Sequence, residues 1–170
     1  MEMKRDKHIQ ISMNKSLRLD NVLVNDIVII DFNADEIDAV EDYQFFTVVE
    51  KMKNEIAVKG AKQIGPLIRY SWAGDDDGGA KIQIGLMLQA DRYIDNINTP
   101  YRMETAVHVK NCLYTRFTGL EEDIHFAYQK IAVTAYEEDI KLKGSSYTVF
   151  LDSNDDGTIT ADIFMERADE

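Results

Sequence analysis

The chain has 170 residues, 31 acidic and 19 basic, giving a net charge of −12 at neutral pH. Such a field repels a phosphate backbone, and with no basic stripe or helix-turn-helix the sequence argues against direct nucleic-acid binding. No run approaches the ~18 apolar residues of a membrane span, one cysteine excludes an intramolecular disulfide, and no apolar signal core follows the charged residues 1–7, so one cytoplasmic domain over 1–170 is expected.

Alternating residues follow the charged start, and β-rich runs come at 22–24 and 27–32. A helix is next. Asp38 with Glu41 three residues later forms a capping box, and Tyr43, Phe46, Val49, Met52 and Ile56 make an apolar stripe that Gly60 ends. Runs 67–72 and 81–88 then read as a hairpin. In its second strand Ile82, Ile84 and Leu86 share the face beneath the helix, while Gln83 and Met87 share the other.

The succession then starts again. Runs 107–109 and 112–117 lead to a box of Thr118 and Glu121, a stripe of Ile124, Tyr128, Ile131 and Ala135, and a stop at Gly144. A second hairpin follows at 147–151 and 158–165. Ile159, Ala161, Ile163 and Met165 face the helix, and Thr160, Asp162, Phe164 and Glu166 face the open side. The same alternation turns Tyr114 and Arg116 outward.

Three segments align with three later ones in order: 21–34 with 106–119 at an offset of 85, 55–60 with 139–144 at 84, and 75–78 with 154–157 at 79. The expected domain is therefore α+β, with tandem pseudo-two-fold β-β-α-β-β repeats over approximately 15–90 and 103–168.

Few motifs carry chemistry. Asp152, Asn154, Asp156 and Gly157 imitate a calcium loop, but Ile163 stands where its bidentate glutamate belongs, and Asp-Asp-Gly recurs at 76–78, so a hairpin turn explains both sites. His8, His108 and His125 lie too far apart for a metal pattern. Cys112, in an apolar strand, reads as a small core residue. No metal, cofactor or catalytic residue is expected.

The repeats, the run Ile64-Gly-Pro-Leu-Ile-Arg-Tyr70, and the ending Tyr147-Thr-Val-Phe-Leu-Asp152 with Thr160-Ala-Asp-Ile-Phe-Met165 resemble the gyrase-inhibitor-like (GyrI-like) effector-binding domains from about residue 15 to 168. The resemblance implies two long helices packed on one face of a curved antiparallel sheet. It also implies a lipophilic ligand, cationic for many members, in the groove between the repeats beside an acid on the last strand and several aromatics. Here that acid is Asp162, where the family typically has the longer Glu, beside Phe164. Tyr114, Arg116, Gln83, Tyr147 and Trp72 complete the candidate ligand-binding set. A carboxylate among aromatic faces attracts a cation, although Arg116 is placed to pair with Asp162 and cancel that preference.

The leading expectation is a stand-alone small-molecule binding module, which would serve transcription regulation by sequestration or through a protein partner. Two alternatives stand beside it: a protein-interaction or inhibitor module with an acidic docking surface, and a small-molecule hydrolase using Asp162 with Tyr114 or Tyr147. Oligomeric state is left open.

Overall fold

The computed structural model describes residues 10–17, 23–32, 42–76, 79–108 and 111–168. In chain order the elements are β1 (Gln10–Leu17), β2 (Leu23–Phe32), α1 (Asp42–Val58), β3 (Gln63–Asp76), β4 (Gly79–Ala90), β5 (Arg102–His108), β6 (Cys112–Leu120), α2 (His125–Glu137), β7 (Leu142–Ser153) and β8 (Thr158–Arg167). A 3-10 turn at Glu121–Asp123 precedes α2. Among the described residues the architecture is α+β, with antiparallel ladders and two α-helices.

Val22–His108 forms one compact unit. Its strands run β5-β2-β4-β3. On one face Met52 and Ile56 of α1 pack with Val28, Leu86, Leu88, Ala90 and Ile94. Burying each such aliphatic side chain contributes about 1.5–3 kcal/mol, which is what fixes the strand register.

The second unit joins Met1–Asn21 with Val109–Glu170. Its strands run β1-β6-β8-β7. Ala127, Ile131 and Ala135 of α2 pack on Leu113, Phe117, Ile159, Ala161 and Ile163. Both hairpins, β3–β4 and β7–β8, form where alternation placed them, and the helix-facing row of β8 is as expected, with Met165 at its edge.

Several expectations change. β1 pairs with β6, while β5 pairs with β2. The strand that opens each half thus lies beside the second strand of the other half, because period-2 alternation sets a strand's faces and not its neighbour. Runs 22–24 and 27–32 belong to one strand where they are described: Asp26 takes φ 58° between them without ending β2. Thr118 caps no helix, since it lies in β6 with its Oγ1 3.4 Å from Thr160 Oγ1, and the residue before α2 is Ile124. The box at Asp38 and Glu41 lies outside the described residues.

Both helices end with an amide bonded five residues back, Ala61 N–H to Ile56 O and Ile140 N–H to Ala135 O. The left-handed residue of this Schellman turn is Gly60 in α1 (φ 83°) but Asp139 in α2 (φ 57°). Gly144 has φ 96° too, yet it belongs to β7, where the register with β8 shifts between Leu142 and Ser146. Phe46 is 69% exposed and not core. At 100° per residue it sits about 120° round from Met52, whereas Ile56 is about 40° away. Met87 faces away from α1 but is buried, in register with Ile29 and Ile68, which are buried too.

Candidate functional site

The β6–β8–β7 register of the second unit places two rungs of side chains on the face turned from α2. One rung is Tyr114, Phe164 and Tyr147; the next is Arg116, Asp162 and Val149. Directly opposed residues in an antiparallel ladder share a face, and successive rungs on that face lie roughly 7 Å apart. Five of the seven candidate ligand residues therefore meet on one surface: Tyr114, Arg116, Tyr147, Asp162 and Phe164.

Asp162 is the centre of this surface. Its side chain is 12% exposed, and its two oxygens accept three hydrogen bonds. Oδ1 accepts from Tyr114 Oη at 2.7 Å and Arg116 Nε at 2.7 Å, and Oδ2 accepts from Arg116 Nη2 at 2.9 Å. This two-pronged grip is the strong form of an arginine–carboxylate pair. It holds the Arg116 guanidinium pKa above its ordinary value, chiefly through the hydrogen bond to Asp162. Burial, followed by the hydrogen bond to Asp162, pushes the Tyr114 phenol up to about 12, so Tyr114 keeps its proton and serves here as a hydrogen-bond donor. The Tyr114 and Phe164 rings stack with centroids 5.0 Å apart and planes 29° apart. Half of the Arg116 side chain remains exposed, so the charged rung is reachable from solvent.

Gln83 and Trp72 are partners in the β3–β4 register of the other unit, Gln83 exposed and Trp72 half-buried. That unit also holds an ion cluster the sequence reading did not single out. Arg102 Nε donates to Asp31 Oδ2 at 2.6 Å, and its Nη1 donates to Glu104 Oε2 at 2.8 Å. The signal for it was present, because the offset of 85 lays Asp31 over Arg116. Asp31 faces Gly85 in the ladder as Arg116 faces Asp162. An added Cβ on Gly85 would stand 3.2 Å from Asp31 Oδ1.

The calcium-like loop is a hairpin turn. Asp156 Oδ1 accepts from the Thr158 amide at 3.0 Å and its hydroxyl at 2.7 Å, and Asn154 Nδ2 donates to Thr158 Oγ1 at 2.9 Å. These side chains close the turn, with Gly157 at φ 87°. Cys112 is fully buried, and burial, with the nearby Glu166, pushes its thiol up to about 12, so it is unreactive. Among the described residues no group of three His, Cys, Asp or Glu could hold a metal, and no helix is long and apolar enough to cross a membrane.

No protein-family model and no curated protein sequence matches the chain. Solved structures do. The crystal structure of the EcmrR C-terminal domain aligns with a TM-score of 0.60 at 9% identity, over 94% of this chain and 97% of that one. The chain has a GyrI-like fold. EcmrR also matches within a cryo-EM complex with DNA, at TM-score 0.63 and 11% identity, where 98% of this chain spans 60% of the longer protein. SAV2435 bound to tetraphenylphosphonium matches at TM-score 0.54 and 9% identity, covering 94% of this chain and 93% of that one. A protein described as a hydrolase from Listeria innocua matches at TM-score 0.53 and 10% identity, over 98% and 97%. At such identities these likenesses establish the GyrI-like fold and nothing finer.

Proposed function

We propose that the chain is a small-molecule binding module whose ligand rests on the β6–β8–β7 face. The observation that carries this reading is Asp162, an almost buried carboxylate on the face opposite α2, held by Arg116 and Tyr114 and flanked by stacked aromatic rings. A lone solvated sheet face has no need of an acid so enclosed. Half-buried aromatics beside fixed polar groups are what a lipophilic ligand uses for area and orientation. The fold supports the reading: SAV2435, which shares it, was seen with tetraphenylphosphonium. By the same likeness to EcmrR, this domain would serve as the sensing part of a regulator.

Hydrolysis is the weaker reading of the same residues. Tyr114 supplies the hydroxyl next to Asp162, but its raised pKa and the engagement of both carboxylate oxygens leave neither group free to act as a base. A docking role draws instead on Phe126, Val133 and Tyr136, which are exposed on α2.

The test is thermal unfolding of the purified chain against a panel of aromatic amphiphiles, with Phe164→Ala in parallel. A ligand at about 100 times its dissociation constant adds about 2.7 kcal/mol, roughly 5–10 °C for a domain this size. Stabilisation weakened in Phe164→Ala is expected. No response to any compound, or equal responses in both proteins, would refute the reading.

A further inference from the structure

We infer that the preferred ligand is a flat aromatic molecule bearing an acceptor oxygen, carboxylate or carbonyl, and not a lipophilic cation. The inference rests on the binding reading above and follows from how the charges on the face are already matched. Both oxygens of Asp162 are taken by Arg116 and Tyr114, so its charge is neutralised within the protein. A cation brought to this rung would meet the half-exposed guanidinium, a like charge. It would have to displace a two-pronged ion pair to reach the carboxylate.

What this rung offers a ligand is the guanidinium. Only two of its five N–H donors are used on Asp162, and among the described residues no other carboxylate pairs with it. A planar fork of donors suits a carboxylate or carbonyl oxygen. One rung away, roughly 7 Å along the strand, the stacked Tyr114 and Phe164 present ring surface. That separation suits a ring system of about two fused six-membered rings with its oxygen at one end. On the far side of the aromatic rung Glu166 accepts from Ser145 Oγ at 2.9 Å.

The decisive experiment titrates the full chain with three naphthalene probes of one shape: 2-naphthoate, 2-naphthamide and 2-naphthylmethylammonium, by calorimetry at physiological salt. Binding of 2-naphthoate or 2-naphthamide about tenfold or more tighter than the ammonium probe is expected, the ratio a charge-assisted hydrogen bond supplies. Arg116→Gln should erase that preference by weakening the oxygen-bearing probes alone. If Arg116 serves only to support the fold, the variant weakens all three equally, which overturns the inference. Because the wild-type ranking needs no variant, misfolding of Arg116→Gln cannot mask the answer. An ammonium probe that binds tightest refutes the ligand class but leaves the binding module standing. Binding by none of the three overturns the ligand class, and the amphiphile panel then decides the binding reading.

Discussion

Arg116 and Asp162 are direct partners in the β6–β8 register, and the guanidinium takes both carboxylate oxygens, at 2.7 and 2.9 Å. The two residues are unequally buried, with side chains 51% and 12% exposed. Removing either should therefore not cost the same. Arg116→Ala leaves a nearly buried charge with Tyr114 as its remaining side-chain donor among the described residues, and about 2–3 kcal/mol should be lost. Asp162→Ala leaves a guanidinium that water can reach, and about 1–2 kcal/mol is expected. In urea unfolding the double variant should fall short of the sum by about 1 kcal/mol. Strict additivity would show that the pair is not coupled in solution.

Tyr114 makes stability depend on pH at the alkaline end. Its pKa is raised from 10.0 to about 12 in the folded protein. Below pH 10 folded and unfolded states both keep the proton, so its contribution is whole. Between pH 10 and about 12 the unfolded chain releases the proton first, and stability declines. Cys112, raised from 9.0 to about 12, adds a similar decline that starts lower. Tyr114→Phe should flatten the profile between pH 10 and 12 and leave the Cys112 part in place. An unchanged slope in the variant would mean that Tyr114 titrates normally.

Burial against the helices sets a different expectation. Phe117 is fully buried among the residues under α2, so Phe117→Ala should cost about 3–5 kcal/mol. Phe46 is 69% exposed, and Phe46→Ala should change stability by no more than about 0.5 kcal/mol. Denaturant midpoints decide both. A large loss at Phe46 would reveal packing that its exposure denies.

Strand faces were legible because side chains alternate strictly. Asp162, Phe164, Tyr114 and Arg116 could be assigned to one side of a sheet from spacing alone, and they meet there. Strand neighbours were not legible. Nothing local in 10–17 says that it pairs with 112–120, since that choice depends on contacts about a hundred residues away in the chain. The Thr118 cap failed for a related reason: Thr-x-x-Glu is equally compatible with a strand end, and the ladder to Thr160 prevails. Tyr147 joined the set because β7 brings it opposite Phe164, whereas the pairing of Gln83 with Trp72 lies in the other unit.

Gly60 and Gly144 look equivalent in sequence, but the helix ends show that Gly60 corresponds to Asp139. Asp139 holds φ 57°, a region where a Cβ is crowded by the backbone, whereas glycine is at ease there. Asp139→Gly should thus stabilise the protein by roughly 0.5 kcal/mol, a gain trimmed by the extra freedom glycine gives the unfolded chain. Gly60→Ala should destabilise it by about 1 kcal/mol. The space around Gly60 is open, with nothing within 4 Å of an added Cβ, so that cost is backbone strain alone. Urea midpoints of the two variants should move in opposite directions. Loss of stability in Asp139→Gly would mean that the aspartate side chain, and not its backbone angle, ends α2.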